Sequence, residues 1–82
     1  MNANKKLVQA VAATVRYFRK NSNLSQEELA AKANLDRTYI SGVERGVRNI
    51  TLDSLEQIIN ALDIDIKTFF SKFTDTTNEL SD

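Results

Sequence analysis

One pattern occurs four times in this 82-residue chain: an apolar residue, a helix-capping residue, and a second apolar residue four places after the cap. It is spelled Leu24-Ser25…Leu29, Leu35-Asp36…Ile40, Ile50-Thr51…Leu55 and Ile64-Asp65…Phe69. Ser, Thr and Asp accept hydrogen bonds from the free N–H groups of a first helical turn. The flanking apolar pair closes over the cap as a hydrophobic staple. Ser25 also has Glu28 three residues on, which completes a capping box. Four starts of one design predict helices over 25–33, 36–45, 51–62 and 65–73. Ahead of them, Leu7, Val11, Val15 and Phe18 share one helical stripe, which predicts a first helix from about Lys5 to Lys20. Asn21-Ser22-Asn23 ends it. No proline interrupts these segments, and no strand-like alternation persists. The fold class is therefore all-α: five helices in one domain over residues 1–73, followed by a flexible polar tail over 74–82.

Only Asn34 and Leu35 separate the second and third helices. So short a connection forces a sharp crossing, as in a helix-turn-helix unit. Ala30 is small where the partner helix crosses, and Asn34 stands at the turn, where Asn tolerates the left-handed conformation. Gly46 follows the third helix, where a left-handed C-cap is wanted. In that helix Ile40 and Val43 face inward with Leu35. Arg37, Thr38 and Ser41 lie on the other face, near the N-terminal end, which is the end a recognition helix pushes into a DNA major groove. Arginine can bond guanine O6 and N7 in a bidentate pair, and Thr and Ser can bond base edges. A plain solvated face looks the same residue by residue; the set, at this spacing and behind this turn, favours base readout. Tyr39, between core edge and groove, is expected on the DNA side. Gly42 costs the helix roughly 0.5–1 kcal/mol relative to Ala, and a close approach to DNA is a reason to tolerate it.

Phosphate contacts hold a protein in register on the duplex. Ser25 and Gln26 open the second helix, where free N–H groups and the positive end of the helix dipole suit a phosphate. Arg45, Arg48 and Asn49 gather in the loop after the third helix. The charge distribution agrees. Residues 1–50 carry nine Lys and Arg against four Asp and Glu, whereas residues 51–82 carry two against seven, so a net charge of zero hides a basic half and an acidic half.

The same composition excludes other classes. There is no Cys, hence no disulfide, thiolate metal site or cysteine nucleophile, and no His, the commonest general base and metal ligand. The remaining Asp, Glu, Lys, Ser and Tyr form no recognisable catalytic constellation, so neither enzyme activity nor a cofactor is expected. No apolar run approaches the ~20 residues of a membrane span. Gln9, Thr14 and Arg16 interrupt the N-terminal apolar stretch, so a signal peptide is not expected either, and the chain is read as cytoplasmic.

The segment SQEELAAKANLDRTYISGVERGVRNITLDSLEQIINAL resembles the phage-repressor and Cro-like helix-turn-helix family, often called XRE. Its most specific elements are Gln26-x-x-Leu29-Ala30, Ile40-x-x-Val43-Glu44-x-Gly46, and Leu55 with Ala61-Leu62, and the likeness covers residues 7–70. It implies that Gln26 binds a phosphate and orients the recognition helix. It also implies that Glu44 pairs with an arginine late in the first helix, here Arg19, as a structural ion pair. Asn34 departs from the glycine usual at that turn. Within the family, LDRTYISGVERGVRN is especially similar to the controller proteins of restriction-modification systems. Those are small dimers that bind palindromic operators and regulate their own gene and the endonuclease gene. That likeness implies Arg37, Thr38, Tyr39 and Ser41 as operator readers and double-stranded DNA as partner, with RNA polymerase as a further contact.

The fifth helix carries Ile66, Phe69, Phe70 and Phe73, more apolar surface than one face usually holds. One stripe closes the core, and the remainder is expected to meet a second subunit, with Phe70 or Phe73 at that interface. The competing readings are a phage-type repressor and an antitoxin-like module that uses the same scaffold to bind a protein. The short polar tail is a poor partner-wrapping segment.

Overall fold

A computed structural model describes the backbone of residues 6–80 and the side chains of residues 6–75. Its elements are α1 (Lys6–Asn21), α2 (Gln26–Ala33), α3 (Arg37–Glu44), α4 (Leu52–Ala61) and α5 (Ile66–Leu80), with no strand among the described residues. The expected start of the first helix at Lys5 lies outside the described residues.

Three of the four repeated starts are capped as the sequence indicates. Ser25 Oγ accepts from Glu28 N–H, and the Glu28 carboxylate accepts from Ser25 N–H, so the capping box is closed in both directions. Thr51 Oγ1 accepts from Ser54 N–H, and Asp65 Oδ1 accepts from Thr68 N–H at 2.8 Å. The bonds from Thr68 hold the Asp65 carboxyl below the usual aspartate range. Asp36 is the exception. It occupies the N-cap of α3 with extended backbone, yet its side chain makes no cap hydrogen bond.

Helix ends follow one scheme as well. Asn23, Asn34, Gly46 and Asp63 all take positive φ, between 58° and 72°. After Asn34 the Leu35 N–H returns to the Ala30 carbonyl at 2.9 Å, the six-to-one bond of a Schellman motif. Val47 N–H makes the same bond to the Gly42 carbonyl after Gly46.

α1 packs on α5 and α3, while α2 packs on α3 and α4. Val15, Leu29, Ile40, Val43, Ile58 and Phe69 are fully buried where these helices meet. Thr14 is buried too, its hydroxyl donating to the Ala10 carbonyl. Two expectations change. Leu7 is 64% exposed and lies off the core that its stripe-mates Val11, Val15 and Phe18 join. The flexible tail proposed for 74–82 is helical backbone through Leu80, so α5 runs seven residues past its expected end. Neither Gly nor Pro occurs in that stretch, and Thr74 Oγ1 donates to the Phe70 carbonyl one turn back. Polarity alone was a poor stop signal. Residues 81 and 82 lie outside the described residues.

Candidate nucleic-acid interface

The turn built on Asn34 sets α3 across α2. Ile40 and Val43 go into the core at 0% and 1% exposure, so the residues on the other side of α3 must face outward. Arg37 and Thr38 are exposed, and Ser41 is half-buried at the edge of the same face. Neither Arg37 nor Thr38 makes a side-chain hydrogen bond among the described residues.

Behind that face, Glu44 is the joint that holds α3 in place. It is 4% exposed, and each oxygen of its carboxylate accepts from Arg19: Nε to Oε2 at 2.6 Å and Nη2 to Oε1 at 2.9 Å. The structural ion pair expected of these two residues is thus bidentate. The hydrogen bond and charge of Glu44 raise the Arg19 pKa above its ordinary value, against burial, which acts in the other direction. Arg19 also donates to the Leu24 carbonyl, which fixes the approach to α2. Arg16 was not foreseen: its Nη1 donates to the Glu44 carbonyl at 2.7 Å and so caps the C-terminal end of α3. Its only sequence signal is the three-residue spacing from Arg19.

Ser25 is exposed at the start of α2, with its hydroxyl engaged in the capping box. Gln26 was expected to bind a phosphate and to orient the recognition helix. Its Nε2 donates to Glu44 Oε1 at 3.1 Å, so the amide is tied to α3 through the buried joint and retains one N–H for other partners.

The loop after α3 forms the opposite margin. Arg45, Arg48 and Asn49 are exposed there, and with Thr38, Gly42 and Val47 they line an open cleft of about 380 Å³. Arg45 Nε donates weakly to the Ser41 carbonyl at 3.3 Å. Gln9 packs under Gly46, where a Cβ would stand 2.7 Å from its Nε2; the end of that exposed side chain can swing aside, so it is the positive φ that favours glycine here.

Two residues sit differently from expectation. Tyr39, placed on the DNA side from sequence, packs its ring against the core edge, under the Arg48 guanidinium, with its hydroxyl buried and unbonded. Its aromatic bulk finds more apolar contact against the core than in water. Gly42, expected to let the helix approach DNA, is buried beneath Arg48.

The face expected to meet a second subunit lies on α4 and α5. Ile66 and Phe70 are 57% and 39% exposed, and they border an apolar groove with Leu52, Leu55, Ile59 and Glu56. Leu52, in the first turn of α4, is 85% exposed there. Phe69 does not belong to this face: it is fully buried, stacked near Phe18 and edge-on to Phe70. Phe73 is half-buried against the core. Only two of the four residues expected at the interface, Ile66 and Phe70, stand out on this surface. No helix among the described residues is long and apolar enough to cross a membrane.

Known proteins share this arrangement. The control protein C.BamHI of Bacillus amyloliquefaciens is 54% identical over 46 residues, covering 56% of this chain and 57% of that protein. The chain therefore spans little more than half the length of that relative. The control protein C.SmaI of Serratia marcescens is 41% identical over 64 residues, covering 78% of this chain and 76% of that one. The restriction-modification controller protein C.Esp1396I, solved as a tetramer in complex with its natural 35 base-pair operator, superposes with a TM-score of 0.85 at 40% identity, covering 88% of this chain and 95% of its own. Residues 15–69, which hold the Asn34 turn, the Glu44 joint and the cleft beside α3, match the helix-turn-helix family HTH_3, and the chain belongs to that family.

Proposed function

We propose that this protein is a sequence-specific regulator of transcription that binds a palindromic operator as a homodimer. We further propose that it serves as the controller of a restriction-modification system, acting on its own gene and the endonuclease gene. The observation that carries the reading is the outward face of α3. Arg37 and Thr38 stand exposed at the end that enters a major groove, while Ile40 and Val43 lock the opposite face into the core. Arg37 reads a guanine edge, and Thr38 and Ser41 reach neighbouring bases. Ser25, the remaining N–H of Gln26, Arg45, Arg48 and Asn49 meet the phosphates on either side.

One short helix offers few base contacts, and pairing two copies doubles them. Ile66, Phe70 and Leu52 around the α4–α5 groove form the self-complementary apolar patch of a two-fold dimer, with Glu56 at its rim. Such a dimer sets its recognition helices about 34–36 Å apart, one turn of DNA. Occupancy of a promoter also brings the dimer beside RNA polymerase. The names of the similar control proteins and the operator-bound C.Esp1396I assembly support this reading.

Its test is binding to the duplex immediately upstream of the protein's own gene, measured against a scrambled duplex over a range of salt. The expected result is a preference for the upstream duplex and an affinity that falls steeply as salt rises. Equal binding to both duplexes, or no dependence on salt, overturns it.

A further inference from the structure

Gly42 sits inside the eight-residue α3, where glycine weakens a helix. It is buried, so lack of bulk there is not explained by exposure to a groove. What it lies against is Arg48. A Cβ added at Gly42 would stand 3.5 Å from both Arg48 Cβ and Arg48 Nε. That is ordinary contact, so a methyl group fits, whereas a long side chain would compete with the arginine stem for the same stretch of helix surface. Tyr39, three residues earlier and so on the same side of the helix, carries the Arg48 guanidinium 4.7 Å above its ring centroid. The arginine thus crosses the helix surface over Gly42 and ends on Tyr39, at the margin of the cleft it shares with Thr38, Arg45 and Asn49.

We infer that Gly42 is a positioning residue for Arg48: the bare helix surface at 42 and the Tyr39 ring hold the guanidinium in one pose before DNA arrives. This rests on the proposed role of Arg48 as a phosphate contact. A long side chain already held in place loses less rotamer freedom on binding than one that must first be ordered. Tyr39 then takes part in recognition through Arg48, as the platform for its cation–π contact.

The first measurement uses the DNA-free protein. Stacking on Tyr39 shifts the Arg48 δ-proton resonances upfield. The shift is expected to persist in Gly42→Ala and to vanish in Gly42→Leu, with Gly42→Ser as the smaller replacement should the leucine variant not fold. The second measurement is duplex affinity in a double-mutant cycle. Gly42→Leu is expected to lose about tenfold or more, the loss expected of one charge-assisted hydrogen bond. It is expected to lose nothing further when combined with Arg48→Ala, and Gly42→Ala is expected to bind like the parent. Arg48 resonances that ignore Gly42→Leu overturn the inference. So does a loss of the same factor with and without Arg48, which would mean that bulk at 42 obstructs DNA directly. If the parent protein binds no duplex, the proposed function fails, while the proton shifts still decide whether Gly42 seats Arg48.

Discussion

Glu44→Ala tests the joint that carries the recognition helix. The substitution removes the acceptors of three hydrogen bonds, two from Arg19 at 2.6 and 2.9 Å and one from Gln26 at 3.1 Å. Among the described residues it leaves the Arg19 guanidinium with the Leu24 carbonyl alone, in a setting where its side chain is 12% exposed. Removing one partner of a buried pair costs about 3–5 kcal/mol, because the other charge stays desolvated. A chain of 82 residues has a total stability of about 4–12 kcal/mol, so the loss is a large fraction of the whole. With a urea m-value of about 1–2 kcal/mol/M, the midpoint falls by about 1.5–5 M. Urea unfolding followed by circular dichroism, at one fixed protomer concentration, measures it. The combined Arg19→Met, Glu44→Leu protein is expected to recover most of the loss, since it removes the stranded charge along with its partner. Base preference among variants that remain folded is expected to be unchanged. A Glu44→Ala protein within about 1 kcal/mol of the parent would refute the reasoning, because that is the worth of a surface pair rather than a buried one.

Three further outcomes are expected. Arg37→Ala loses about 1–3 kcal/mol of binding and relaxes preference at one base pair in each half-site; competition with single-base operator variants measures this, and a uniform loss over all sequences would remove Arg37 from the bases. Leu52→Glu places a charge at the exposed edge of the α4–α5 groove and an acidic residue in the first turn of α4, where the helix dipole favours it. Sedimentation should show a monomer that remains folded by circular dichroism, and an intact dimer would exclude the groove as the interface. Asp65→Ala should destabilise at neutral pH and not in strong acid. The folded-state pKa of Asp65 is lowered, so its contribution is full above the unfolded value of 3.8 and disappears as pH falls through the lower folded one; a pH-independent difference in thermal unfolding would contradict this.

Much of the fold was written in short-range pattern. A cap, its staple and an αL residue act within a single turn, so Ser25, Thr51, Asp65, Asn34 and Gly46 declare themselves one by one. Asp36 shows the limit: its position as N-cap followed from the pattern, but the hydrogen bond did not form. Burial is less local. Phe69 and Phe70 are adjacent and chemically identical, and only the packing of α5 on α1 decides that one is core and the other half-exposed. Leu7 and Leu52 carry the right helical phase for the core, yet each stands at a helix end where no partner helix covers it. The outward set Arg37, Thr38 and Ser41 was readable because Ile40 and Val43 fix the phase of α3. The inward turn of Tyr39 and the lodging of Arg48 over Gly42 were not, since both depend on where the loop after α3 returns. Gln26 was legible from its place at the start of α2 and from family likeness, but its tie to Glu44 appears only when α2 and α3 are set side by side.

The central claim is that the exposed side of α3, presented twice by a symmetric dimer, reads base pairs in two successive major grooves. Selection of bound sites from random duplex DNA tests it most directly. The expected result is an enriched two-fold symmetric consensus whose half-sites are centred about 10 bp apart. Recovery of no enriched sequence, or of a single asymmetric motif, would contradict it.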